Sequence, residues 1–134
     1  MVQIVDASVA IKWFVDEEGT TSSLKILEAI LQQPELFAVP ELFFFELNHV
    51  LNRIFPKFDS KQIELFEIVV DLGWSRFPFS SLMGEKARHF QGLGLSGYDA
   101  SYAALASMLN GKWITFDKQA HIKIQSLKIS RLIT

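Results

Sequence analysis

The stretch VQIVDASVAIKWF, residues 2–14, changes character at the aspartate in its middle. Residues 2–5 are a short, mostly β-branched run that suits a buried strand, and they deliver Asp6 at the strand's C-terminal end. ASVAIKWF, from Ala7 to Phe14, then reads as one or two turns of helix. A buried strand passing through an acid straight into a helix is the unit from which parallel α/β folds are built.

Working outward, the same alternation recurs. Thr20 to Gln33 carries Leu24, Leu27, Ile30 and Leu31 at helical spacing and stops near Pro34. LFAVP is a second strand candidate, whose proline opens a helix from about Glu41 to Ile54. After FPKFDS, Asp59 or Ser60 is placed to cap a helix carrying Ile63, Phe66, Ile68 and Val70. GWSRFPF is ambiguous, with room for a short strand before a helix over about Ser80 to Phe90, and QGLGLSG reads as loop. The best-marked helix runs from Ser96 to about Leu109 and ends at Asn110 and Gly111, residues suited to a left-handed C-cap. WITF then reads as a strand, Asp117 opens a last helix, and SRLIT closes as a strand. The expected fold class is α/β, a three-layer α/β/α sandwich around a mostly parallel sheet, whose ligands gather beyond the C-terminal strand ends.

At 134 residues and 49% hydrophobic, the chain is sized for one domain spanning 1–134. No run of about 18 apolar residues occurs, and the start has no basic leader, so the expectation is a protein with no membrane span and no signal peptide. The absence of cysteine excludes disulfides and thiolate metal sites and is compatible with a reducing cytoplasm. The net charge of -2 conceals an asymmetry: residues 1–71 hold 12 acids and 5 bases, residues 72–134 hold 3 acids and 8 bases. Whole-chain charge therefore does not advertise nucleic-acid binding.

Four acids carry the chemical signal. Asp6 and Asp117 each directly follow an apolar strand candidate, which puts both on the ligand-binding edge, although each alone is also explained as a helix cap. Glu46 interrupts an apolar helix face, with Leu42, Phe43 and Val50 around it, and a carboxylate there needs a salt bridge from another element or a metal ion. Asp99 stands three residues after Ser96 in the form of a capping box, yet is followed on its own face by Tyr102, Ala103 and Ala106, which leave space for a pocket. Two unit charges 4 Å apart repel by about 4 kcal/mol at an effective dielectric near 20, so four acids at one edge call for a cation. Magnesium or manganese, hard ions that take oxygen ligands, would meet that need and activate a water against a phosphodiester.

In order and spacing, IVDASVAIKWF, PELFFFELNHVL with its glutamate six residues after the proline, LSGYDASYAALA and WITFDKQ cover nearly the whole chain. Together they resemble a PIN-domain protein of the VapC toxin type. The family's acidic residues fall on Asp6, Glu46, Asp99 and Asp117. The resemblance implies a magnesium- or manganese-dependent endoribonuclease, homodimerisation, and neutralisation by a small antitoxin protein. Ser8 and Thr115 match hydroxyl positions frequent in such motifs, where they orient a carboxylate or a bound water or serve as ordinary turn and strand hydroxyls. Phe116 departs from the pattern, because a small residue more usually precedes the last acid.

Other features bear on function more weakly. His49 lies three residues after Glu46, the spacing of di-iron helices, but no second copy exists. The FFF run at 43–45 suits a core or a dimer interface, and Trp13 with Phe14 suits an exposed patch for a partner. Lys12, Arg53, Arg88 and Lys118 are the cations expected to meet RNA phosphates. Two alternatives stay open: a receiver-like phospho-signalling domain, which would want an acidic pair at its first strand, and a PIN-like module that binds without catalysing.

Overall fold

The computed structural model describes residues 1–134. Its five strands, β1 (Gln3–Val5), β2 (Phe37–Pro40), β3 (Ser75–Phe77), β4 (Lys112–Thr115) and β5 (Ser130–Leu132), form one sheet in the order β3-β2-β1-β4-β5. Every neighbouring pair is parallel, so the sheet is wholly rather than mostly parallel. The central strand sets the register, with Gln3 opposite both Phe37 and Lys112. Parallel strands need long crossovers, and seven helices supply them: α1 (Ala7–Phe14), α2 (Thr20–Gln32), α3 (Leu42–Ile54), α4 (Ser60–Val70), α5 (Ser81–Gly92), α6 (Gly97–Met108) and α7 (Lys118–Ile124). Right-handed crossovers that run first from β1 outward to β3, then back past β1 to β4 and β5, put α1–α4 on one face and α5–α7 on the other.

The inner strands are apolar throughout, as strands covered on both faces must be: all of β2 is buried, and Ile4, Val5, Trp113 and Ile114 are inaccessible to solvent. The edge strands carry charge instead. Arg76 on β3 pairs with Glu41 at 2.7 Å, and Arg131 on β5 donates to Gln3 at 2.7 Å, which discourages pairing with another sheet. Helix α6 is buried over Ala100–Ala106, and its alanines let it lie close against β1, β2 and β4. No helix is long and apolar enough to cross a membrane.

Most expected elements form, and the differences have local causes. GWSRFPF resolves into β3, because Ala38, Val39 and Pro40 offer it a parallel edge. Gln91 and Gly92 extend α5, and the loop shortens accordingly. In α4, Val69 is the buried residue while Ile63 and Ile68 are exposed, so the expected apolar face is rotated. Leu24 and Leu31 of α2 are likewise exposed, and Ile30 with the small Ser23 faces inward. Asp59 caps α4 in a reciprocal capping box with Gln62. After α6 only Asn110 is left-handed, at φ 51°; Gly111 is needed for a different reason, since a Cβ there would lie 2.3 Å from the Val2 carbonyl oxygen.

The expected Trp13–Phe14 patch does not exist. Trp13 is buried and its indole N–H donates to the Ser23 carbonyl at 2.8 Å, while the Phe14 ring stacks on Phe58. The FFF run divides by helical geometry: Phe43 enters the core, Phe44 is half-buried, and Phe45 is 74% exposed.

Candidate active site

The chain visits β1, β2 and β3 in one direction and then crosses to β4 and β5, so the sheet order reverses between β1 and β4. A crevice opens at the carboxyl ends of strands where order reverses. Asp6 is the first residue beyond β1, and Asp117 lies two beyond the end of β4. Glu46 reaches the crevice from α3, the helix that follows β2, and Asp99 from α6, the helix that precedes β4.

Asp6 is only 6% exposed, and although it stands at the start of α1 its side chain caps nothing. Its Oδ2 accepts hydrogen bonds from Ser8 Oγ at 3.1 Å and from Thr115 Oγ1. Burial pushes the carboxyl from an ordinary 3.8 up to about 7; the bond from Thr115 opposes the rise, the charges of Asp99 and Glu46 add to it, and the bond from Ser8 opposes it. Burial also raises Glu46, the Tyr102 hydroxyl opposing and the Asp99 charge adding. Neither partner completes a hydrogen bond: Glu46 Oε1 and Tyr102 Oη are both buried and unpartnered. Asp99 is raised by burial first, then by Asp117, against Ser96 and Lys123.

Asp6, Glu46 and Asp99 therefore feel one another directly, and Asp117 joins through Asp99. Asp117 itself is exposed, and its Oδ1 caps α7 by accepting from Ala120 N at 3.0 Å. Ser96 Oγ accepts from Asp99 N at 3.1 Å, and the Ser96 hydroxyl and Lys123 both favour the charged Asp99 carboxylate. No three acid or histidine side chains already close around a single point as a ligand shell. The donor set still fits a hard cation: it is all oxygen, it contains an orphaned buried acceptor in Glu46, and its members disfavour one another's charge.

The crevice is lined in two parts. Glu46 and His49 border a cleft of about 370 Å³ with Tyr98, and Asp99, Asp117 and Lys123 border one of about 360 Å³. A larger apolar groove of about 540 Å³, between Phe45, Phe79 and Tyr98, holds none of the four acids.

Lys123 was not expected from the sequence. It donates to the Gly94 carbonyl at 3.0 Å and faces Asp99, a juxtaposition made only by the fold. Lys12, by contrast, is not free to meet phosphate. Its ammonium bonds Glu17 Oε1 at 3.0 Å and the Glu18 carbonyl at 2.7 Å and lies 4.7 Å from the Phe116 ring centre. Arg53, Arg88 and Lys118 are exposed and make no ion pair. Arg88 sits on α5, which contributes none of the acids, and Lys118 follows Asp117 directly.

Residues 4–125 match the model of the PIN domain. No curated protein matches the sequence. Among solved structures, a toxin–antitoxin complex from Klebsiella pneumoniae superposes with a TM-score of 0.71 at 15% identity, covering 96% of this chain and 95% of that one. VapC20 of Mycobacterium tuberculosis, a toxin that cleaves the sarcin–ricin loop, gives 0.71 at 12% identity over 90% of this chain and 93% of its own. VapBC2 of Rickettsia felis, bound to a DNA fragment from its promoter, gives 0.60 at 17% identity over 100% of both. At these identities the likeness speaks for the fold.

Proposed function

The chain belongs to the PIN-domain family, and from that premise we propose that residues 1–134 form one domain that hydrolyses RNA phosphodiester bonds as the toxin of a toxin–antitoxin pair. The observation that carries this reading is the set of mutually coupled carboxylates Asp6, Glu46 and Asp99, with Asp117 at their rim, beyond the strand ends where the sheet order reverses. The match over residues 4–125 also displaces the receiver-like alternative, and intact acids at all four positions argue against a silent binding module.

In this reading the four acids hold magnesium or manganese. When bound, such an ion lowers the pKa of a water and neutralises charge developing on phosphate oxygens. The protein's own groups do the rest. Asp6 is locked in orientation by Ser8 and Thr115. Glu46, half-buried as a residue, has in its buried and unpartnered Oε1 an acceptor position to offer. Asp99, held at its amide by Ser96, and Asp117 face a cleft open to substrate. Lys123 at that cleft, Lys118 directly after Asp117 in the chain, and Arg53 two turns beyond Glu46 supply positive charge for the RNA backbone. The exposed Phe45 and Phe79 beside the apolar groove support a protein-contacting face for a second copy of the chain or an antitoxin.

The test compares wild type with Asp6→Asn and Asp99→Asn for growth arrest on induction and for magnesium-dependent cleavage of cellular RNA. Both variants are expected to lose both effects. Three proteins that behave alike would overturn the reading.

A further inference from the structure

The crevice of the acids has two unlike halves, and only one of them is bordered by a lysine. Lys123 lines the half that holds Asp99 and Asp117. The other half, about 370 Å³, is lined by Leu42, Phe45, Glu46, His49, Val50 and Tyr98, with no lysine or arginine among them. The first five come from α3 at spacings of three and four residues, which puts them on one face of that helix. Tyr98 enters from the first turn of α6, directly before Asp99.

The aromatic groups of this half are unspent. Phe43 and Phe44 set their rings edge-on to Trp74, whereas Phe45 is 74% exposed, Tyr98 is 64% exposed, and neither has a ring partner in the chain. Apolar rings gathered in water at the mouth of a site mark a surface that a ligand covers. Charge decides what kind of ligand. No lysine or arginine stands here to hold a phosphate, but an uncharged planar ring finds aromatic faces at Phe45, His49 and Tyr98 and a hydrogen-bonding group for its edge at His49. An unpaired nucleobase has that chemistry, since bases outside a duplex stack on Phe, Tyr and His and present free edges. Leu42, Phe45 and Tyr98 border both this cleft and the larger apolar groove, so they wall one from the other. The groove, with Pro78 and Phe79, suits a protein surface; the cleft, with Glu46, is continuous with the acids.

We infer that the cleft between Phe45, His49 and Tyr98 is a nucleobase subsite, which stacks the base of a nucleotide flanking the phosphate that the acids receive. It rests on the ribonuclease reading and sharpens it. The half with Lys123 takes backbone, this half takes one unstacked base, and Arg53, one turn past His49 on α3, is left for the next phosphate. Preference for one base at the cut then follows from how well that base stacks and which edge it shows His49.

The experiment mixes the full chain and magnesium with short unstructured RNAs that carry 2-aminopurine at one position each. Fluorescence is read before cleavage and products after it, with thermal melting as the folding control. The label is expected to be quenched by stacking when it lies next to the cut. Tyr98→Leu, which keeps apolar bulk without an aromatic face, is expected to melt like wild type, to abolish the quench and to raise KM about 10-fold with little change in kcat. Tyr98→Phe is expected to retain both the quench and the wild-type KM. No quench at any position, or a Tyr98→Leu protein with the wild-type KM, overturns the inference, while cleavage by wild type keeps the ribonuclease reading. A Tyr98→Leu change seen only in the association state on sedimentation would assign the cleft to a second copy of the chain and overturn the inference as well. Wild type that neither binds nor cleaves RNA overturns both.

Discussion

The β1–α1 and β4–α7 junctions start from one pattern, an apolar strand, then an aspartate, then a helix. They end as different chemical environments. Asp6 is buried, caps nothing and is gripped by two hydroxyls; Asp117 is exposed and spends an oxygen on the first turn of α7. The cause is position in the sheet. β1 is the middle strand, covered on both faces and flanked by β2 and β4, whereas the chain beyond β4 runs out toward an edge before α7 begins. A carboxylate at the first junction is held against its own charge, and at the second it stabilises a helix end. The first carries a carboxyl whose burial disfavours its charge, and the second is partly structural.

The largest way to break that contrast is to neutralise the two acids in turn. Asp6→Asn is expected to abolish RNA cleavage by at least about 10²–10³-fold, the scale of removing one preorganised electrostatic group, with the metal-free fold intact. Asp117→Ala is expected to cost less activity but about 1 kcal/mol of stability through the lost cap, a fall in Tm of about 4 °C. Turnover assays paired with thermal melts check both. An Asp117→Ala protein as inactive as Asp6→Asn, and just as stable as wild type, would erase the distinction.

Next in size is a pH effect. In the metal-free protein Asp6 titrates near 7 and in the unfolded chain near 3.8, so the folded state binds the proton more tightly. The associated stability is whole below about 4, declines as pH rises, and is gone above about 7. Subtracting the melting curve of Asp6→Asn isolates this slope from other groups such as Glu41, whose carboxyl is lowered by Arg76 and works in the opposite direction. Saturating magnesium should reverse the slope, since the ion competes with the proton and stabilises most at high pH. A wild-type minus Asp6→Asn difference that is flat from pH 4 to 8 would contradict the burial-driven shift. Glu46→Gln, which removes one of the charges that raise Asp6, should move the midpoint of that slope to lower pH.

Much of this was legible from residue order. Strand, acid and helix recur with spacing enough to place the sheet, and Glu46 among Leu42, Phe43 and Val50 marked a carboxylate in want of a partner. What could not be read were relations fixed only across the fold. Asp6 and Thr115 are 109 positions apart, so the bond between them has no local signature, and Lys123 meets Gly94 across two elements. Helix faces failed where the apolar stripe was wide. Val69 rather than Ile68 or Val70 turns inward on α4, a rotation of one residue that hydrophobicity alone does not decide. Trp13 failed for another reason: its neighbour Lys12 and the acidic run after it suggested exposure, but a buried carbonyl at Ser23 satisfies the indole.

Lys12 offers the smallest and most local test. Sequence places it among RNA-binding cations, whereas the structure ties it to Glu17, to the Glu18 carbonyl and to the face of Phe116. Phe116 is the residue that departs from the family pattern, and Gly19 makes room for it: Gly19 is left-handed at φ 89°, and a Cβ there would lie 2.7 Å from the Phe116 ring. Gly19→Ala should therefore destabilise wild type both by backbone strain, about 1 kcal/mol, and by collision with the ring. In a Phe116→Ala background the collision disappears and only the strain remains, so the double-mutant cycle should show a coupling of about 0.5–1 kcal/mol or more. Lys12→Met should lower stability by no more than about 1 kcal/mol and leave the salt dependence of RNA binding unchanged, because an ammonium already paired releases no phosphate counterions. Lys118→Met, at the exposed mouth of the same junction, should reduce that salt dependence; if Lys12 and Lys118 exchange these behaviours, the junction is held together by something other than the Lys12–Phe116–Gly19 contact.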